Sequence, residues 1–217
     1  MTTWRCGTAG WMSICLRRCR PWIRSTTSLA SEYLFAGEAY MGGFSRSLPR
    51  GAGCRSALQA RGGLMGEARM LLRRYGLRPH KRLGQHFLVS EAALARIVDA
   101  AELVPGEAVL EVGAGLGTLT RALAARAGLV VAVELDRRLI PVLREELAGF
   151  PNVRLIQGDI LALDPAQLME GRPYKVVANL PYAITSVLLR HLLEAQSPPR
   201  RMVVTVQREV AERIVAR

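Results

Sequence analysis

The 217-residue chain carries 30 basic and 18 acidic residues, a formal net charge of +12 at pH 7. Half of the residues are hydrophobic, enough for one sizeable α/β core, and the length leaves no room for two large domains. No apolar run reaches the ~20 residues that a membrane-spanning helix needs, so no membrane partner is expected; the basic balance suits a polyanion, with nucleic acid the leading partner.

Residues 1–64 hold nine Arg, no Lys and two acids, together with all four cysteines and all three tryptophans. They show no sustained helical or strand period and are interrupted by "GG", "SLPRGAG" and "RGG". Three readings compete. The segment is an acid-poor targeting peptide, a disordered RNA-binding arm, or translated upstream sequence with the functional start at Met65 or Met70. The scattered Trp and Cys favour the last. A mitochondrial location goes with the targeting reading; otherwise the expected location is cytoplasmic. Cys15 and Cys19 are four apart with no His nearby, which does not make a zinc site, and no metal is expected. Residues 65–217 contain no cysteine, which fits a reducing compartment. The expected division is therefore 1–64, a disordered extension, and 65–217, one folded domain.

From residue 65 the pattern becomes regular. "EARMLLRRYGL" predicts a short basic helix, and "SEAALARIVDAAEL" an amphipathic helix capped by Ser90, with Leu94, Ile97, Val98 and Ala101 inward. "AVLEVGAG" is a strand running into glycines and "GTLTRALAARA" a helix. "LVVAVELD" is a second strand, followed by "RRLIPVLREEL" as a helix. "NVRLIQGD" and "YKVVANLPY" are two more strands. "TSVLLRHLLEA" is a helix, "RMVVTVQ" a fifth strand, and "REVAERIVAR" begins a helix. Apolar strands alternating with helices predict an α/β fold, a mostly parallel sheet covered on both faces.

Such sheets bind ligands at the carboxyl ends of their strands. Gly113 follows the first strand, Glu134 closes the second, Asp159 the third and Asn179 the fourth. Each alone reads as a turn or cap residue; four at successive strand ends favour a site. The loop "EVGAGLGTLT" has Gly113, Gly115 and Gly117, a G-x-G-x-G spacing. The dinucleotide pattern G-x-G-x-x-G would need glycine at 118, where this chain has Thr118. Glu134 can accept hydrogen bonds from both ribose hydroxyls of a nucleoside. Asp136 is its rival, although it suits N-cap duty better. Asp159 offers an acceptor for an exocyclic amine such as the adenine N6.

This arrangement resembles the Rossmann-like methyltransferases that use S-adenosylmethionine. "KRLGQHFL", "LEVGAGLGTLT", "VELD", "GDIL", "NLPYAITS" and "VQREVAERI" narrow the resemblance. Their order and spacing are similar to those of the ribosomal RNA adenine dimethyltransferases, the bacterial small-subunit branch above all. The resemblance covers residues 70 to 217 and implies dimethylation of two adjacent adenines near the 3′ end of small-subunit rRNA. It implies S-adenosylmethionine as cofactor, the small-subunit rRNA or its precursor particle as partner, a role in small-subunit biogenesis, and a monomer when complete. It also implies a cofactor contact by His86, where the family often has asparagine, and by the Leu88 backbone. Large-subunit rRNA methylation and a non-catalytic assembly role are the alternatives.

"NLPY" then has a physical reading. The adenine N6 amine is a poor nucleophile because its lone pair is delocalised into the ring. Two acceptors aimed at its hydrogens, the Asn179 side-chain oxygen and the Leu180 carbonyl, favour a more pyramidal nitrogen. Pro181 holds Leu180 extended and removes a competing N–H. Tyr182 offers a face on which a flipped base can stack. Arg73, Arg74, Lys81 and Arg82 are candidates for RNA phosphates. The family sheet has seven strands, the last two a hairpin, followed by a small helical domain. By that standard the expectation is a sheet truncated after its fifth strand, an incomplete catalytic domain over 65–217, and little activity from this chain alone.

Overall fold

The computed structural model describes residues 2–6, 11–17, 63–80, 85, 87–180 and 184–207, the first two of these stretches by their backbone only. In chain order the strands are β1 (Thr2–Cys6), β2 (Trp11–Arg17), β3 (Ala108–Val112), β4 (Leu129–Glu134), β5 (Val153–Gln157), β6 (Tyr174–Asn179) and β7 (Arg201–Gln207). The helices are α1 (Gly63–Arg74), α2 (Glu91–Ala100), α3 (Thr118–Ala124), α4 (Ile140–Glu146), α5 (Pro165–Leu168) and α6 (Thr185–Leu193).

The sheet order is β1-β2-β7-β6-β3-β4-β5, with β7, β6, β3, β4 and β5 mutually parallel. The chain runs β3, β4, β5 outward in one direction and then crosses back to lay β6 on the other side of β3. The reversal falls between β3 and β6, where an open parallel sheet forms its ligand crevice. β3 is buried along its whole length, as a strand covered on both faces must be. One face packs Leu110, Val176, Met202 and Val204 against Leu188 and Leu192 of α6. On the other, Val109, Val177 and Val203 meet Ile97 and Val98 of α2 and Leu119 and Leu123 of α3. Ser90 caps α2 as expected, its hydroxyl accepting from the Ala93 N–H at 3.2 Å. Ala101 is buried with Ile97 and Val98, while Leu94 is only partly covered.

Two findings differ from the sequence expectation. Residues 2–6 and 11–17 do not stand apart from the core. They form an antiparallel pair, and β2 runs antiparallel along β7 from Trp11 opposite Gln207 to Arg17 opposite Arg201. The five parallel strands stand as expected, and the antiparallel pair extends the sheet beyond β7. The physical reason is the outer edge of β7, whose unpaired N–H and C=O groups are a template for any extended segment. Within "WMSICLR" the apolar Met12, Ile14 and Leu16 recur at period two, a strand signal too short to stand out among the surrounding breakers. The second difference is the boundary near residue 64, which falls inside α1. That helix is tied to the body through Arg121 of α3, which donates to Glu67 at 2.8 Å and to Glu146 of α4 at 2.9 Å.

Among the described residues, no helix is long and apolar enough to cross a membrane, and no group of three or more His, Cys, Asp or Glu could hold a metal ion.

Candidate functional site

The carboxyl ends of β6, β3, β4 and β5, adjacent in that order, open into one cleft. Asn179, Gly113, Gly115, Glu134 and Asp159 all line it. The parallel register explains the convergence. Val112 lies opposite both Val133 and Ala178, and Glu134 opposite Gln157, so the four strands end nearly level.

The glycine loop needs its glycines. Gly113, Gly115 and Gly117 have φ of 78°, 61° and 79°, a left-handed region costly for any residue with a Cβ. Gly117 has a second constraint: a Cβ there would meet Leu143 at 3.3 Å and Leu147 at 3.5 Å, so it lets α3 pack closely on α4. Gly117 is thus a packing residue behind the cleft, whereas Gly113 and Gly115 face into it.

Glu134 is buried, and its two oxygens are held by backbone. Oε2 accepts the Gly115 N–H and Oε1 the Asp136 N–H, each at 2.8 Å. Burial pushes its pKa up, opposed by the N–H donors of Asp136 and Gly115. Each carboxylate oxygen has two lone pairs, so acceptor capacity remains for a ligand hydroxyl. Asp136 does what a cap does: its carboxylate accepts the Arg138 N–H at 3.0 Å and starts the short turn before α4. Hydrogen bonds from the Arg138 guanidinium bring its pKa down to about 2. Asp159 caps the turn after β5, accepting the Leu161 N–H at 3.0 Å, while its exposed side chain lines the cleft.

Asn179 closes β6 opposite Thr205 of β7. Leu180 donates its N–H to the Thr205 carbonyl at 3.1 Å, and its side chain is buried in the core. That anchoring fixes where the strand gives way to the next segment. Leu88 lines the cleft and packs against the α2–α3 core. Pro181, Tyr182, His86, Lys81 and Arg82 lie outside the described residues. Arg73 and Arg74 are exposed at the carboxyl end of α1, where cations complement the helix dipole. Arg74 is engaged with Glu145 at 2.7 Å and stacks over the Tyr75 ring. Neither arginine lines the cleft.

Residues 76–217 match the family model of the ribosomal RNA adenine dimethylases. The chain belongs to that family. It is 52% identical over 155 residues to ribosomal RNA small subunit methyltransferase A of Dehalococcoides mccartyi strain CBDB1, covering 71% of this chain and 53% of that protein. With the protein of the same name from Moorella thermoacetica it shares 49% identity over 161 residues, 70% of this chain and 56% of that one. The chain thus spans about half the length of the curated relatives it matches. Among solved structures it is similar to a dimethyladenosine transferase from Plasmodium falciparum, with TM-score 0.55 and 30% identity over 61% of this chain and 47% of that one. It is also similar to the 23S rRNA methyltransferase ErmE, with TM-score 0.53 and 39% identity over 58% of this chain and 50% of that one.

Three features of this dimethylase-family site escape the sequence reading. Phe87 lies over the glycine loop, its ring 3.5 Å from where a Cβ on Gly115 would sit. Gln85 lines the cleft and donates to Asp136 at 2.9 Å. Glu111, one turn of pleat before the glycines, is wholly buried, and neither oxygen has a hydrogen-bond partner among the described residues. Burial pushes its pKa up to about 8. The Thr120 hydroxyl nearby partly offsets this, although the two stop short of hydrogen-bond geometry, and the charge of Glu134 adds to the rise. The available signal was a lone carboxylate inside "VLEV", an apolar strand that otherwise has no use for it.

Proposed function

We propose that this chain carries the cofactor-binding and base-binding part of an S-adenosylmethionine-dependent methyltransferase acting on adenine N6 of small-subunit rRNA. The reading extends to dimethylation of two adjacent adenines and to a role in small-subunit biogenesis. One observation carries it: the glycine loop, Glu134, Asp159 and Asn179 share a single cleft at the point where the sheet reverses.

The cleft fits that cofactor. Gly113 and Gly115 leave backbone bare where a ligand must approach closely, and Glu134 and Asp159 present acceptors suited to ribose hydroxyls and an adenine amine. Bound there, S-adenosylmethionine supplies an activated methyl group on a sulfonium centre. The chain's own residues orient and select. Asn179 and the Leu180 carbonyl accept the hydrogens of the target amine, and Tyr182 stacks on the flipped base. The amine that has taken the methyl group carries the positive charge given up by the sulfonium and is acidic enough to pass its proton to water, so no strong general base is needed, and alignment of the amine carries most of the acceleration.

The test is methyl transfer to unmethylated small-subunit particles and, in parallel, to large-subunit rRNA, by this chain and by this chain extended with a family-like C-terminal portion, with calorimetric titration of S-adenosylmethionine and NAD. Binding of S-adenosylmethionine, little transfer by the 217 residues alone, and N6 methylation of adenine confined to small-subunit rRNA by the extended chain is the expected outcome. Transfer confined to large-subunit rRNA overturns the substrate assignment. Saturable NAD binding with no response to S-adenosylmethionine overturns the whole reading.

A further inference from the structure

An unbroken run of hydrogen bonds joins the segment before α2 to the glycine loop. The His80 N–H donates to Gln85 Oε1 at 2.8 Å. Gln85 Nε2 donates to Asp136 Oδ2 at 2.9 Å. The Asp136 N–H donates to Glu134 Oε1, and Glu134 Oε2 accepts the Gly115 N–H, both at 2.8 Å. Asp136 is itself clamped by the Arg138 guanidinium at 2.6 to 3.2 Å, so the carboxylate facing Gln85 has little freedom to turn. Phe87, two residues beyond Gln85, lies over Gly115.

We propose that Gln85 is a positioning residue, whose bridge from the His80 amide to the Asp136 carboxylate holds the Phe87–Leu88 wall of the cleft against the Glu134–Gly115 floor. The inference rests on the cofactor assignment above for its consequence, weaker cofactor binding when the bridge is cut, but not for the bridge itself. A primary amide is the group the place requires. It accepts from His80 and donates to Asp136 at once. A carboxylate at 85 would set two acceptors of like charge against each other, and a thioether could do neither job. Asp136 is known by its geometry as a cap, but the bridge gives it a second duty that a cap does not need.

The experiment uses two variants of the full chain, Gln85→Met and the isosteric Gln85→Glu. Glutamate keeps the shape of glutamine and the acceptor for His80 but not the N–H donor to Asp136, so a role in packing alone survives it and the bridge does not. Amide hydrogen exchange is read without any ligand, and S-adenosylmethionine affinity by calorimetry. In Gln85→Met the His80 and Gly115 amides should lose protection, and affinity should fall about tenfold, as expected for a charge-assisted hydrogen bond. Gln85→Glu should be at least as damaging to Gly115 protection and to affinity. Unchanged protection in Gln85→Met, or a Gln85→Glu chain as protected at Gly115 as the parent, overturns the proposal. If the unaltered chain fails to bind S-adenosylmethionine, the cofactor assignment falls, and hydrogen exchange still decides the bridge.

Discussion

The Gly115 N–H donates to the Glu134 carboxylate at 2.8 Å, across the gap between two neighbouring strand ends. The acid assigned to the ribose and the loop assigned to the cofactor backbone are therefore one mechanical unit. Glu134→Ala should weaken S-adenosylmethionine binding by about 1.5–3 kcal/mol, the range for hydrogen bonds to a charged acceptor. Glu134→Gln has one oxygen for two backbone N–H donors and turns its NH2 toward the other, so it too should weaken binding. Calorimetric titration checks both. Equal affinity in Glu134→Ala and the parent chain would remove Glu134 from the site.

Asn179 sits at the end of β6 in the same cleft, on the far side of Gly113 from Glu134. Asn179 is expected to touch the cofactor as well, but its proposed catalytic partner is the reacting amine. Asn179→Ala should therefore lower the methyl-transfer rate by much more than it lowers cofactor affinity. Tyr182→Ala should impair productive placement of the adenine, and Tyr182→Phe should be milder because the ring remains. Single-turnover transfer to unmethylated small-subunit particles separates these effects. A Tyr182→Phe chain as impaired as Tyr182→Ala would rule out stacking as the role of that ring.

The four strand ends were legible in the sequence for a physical reason. Strands buried on both faces are continuous apolar runs, so Gly113, Glu134, Asp159 and Asn179 stand out where the runs stop. The capping duty of Asp136 was legible for the same kind of reason, since a cap is local. Contacts between distant segments were not. Gln85 and Asp136 are 51 residues apart, and nothing in either local pattern points to the other. The pairing of β2 with β7 joins residues nearly two hundred positions apart, and the alternation within β2 is only seven residues long. The ion pair of Arg74 with Glu145 was hidden for the same reason, since the two lie on different helices. Glu111 was visible but was absorbed into its strand, because burial, not sequence, makes its carboxylate unusual.

Glu111 makes stability depend on pH. Its carboxyl sits at about 8 in the folded chain against 4.5 as a free side chain, chiefly through burial. The folded state thus keeps a proton that the unfolded chain gives up. This contribution is fully present below pH ~4.5 and is lost as pH rises through about 8, to a total of roughly 4–5 kcal/mol at about 1.4 kcal/mol per pH unit. Glu111→Gln keeps the shape without the ionisation, so it should flatten the fall and be the more stable chain at pH 9. Urea denaturation between pH 6 and 9 measures this. The same slope in both chains would mean that Glu111 does not hold its proton.

The edge of β7 tests the antiparallel pair at the other end of the sheet. A strand's N–H groups point alternately to its two neighbours. With β6 on one side and β2 on the other, both alternating sets of β7 amides between Met202 and Val206 are bonded or covered. Deleting residues 1–17 should leave the set facing β6 protected and expose the other set to exchange. The uncovered edge should also lower solubility, since unpaired strand edges template association. Hydrogen exchange resolved by residue in the two chains is the measurement. If the alternate amides of β7 exchange equally fast with and without residues 1–17, β2 does not pair there in solution. The parallel body from β3 to β7 would then stand without it, and the cleft, built on β3 to β6, would be unaffected in either case.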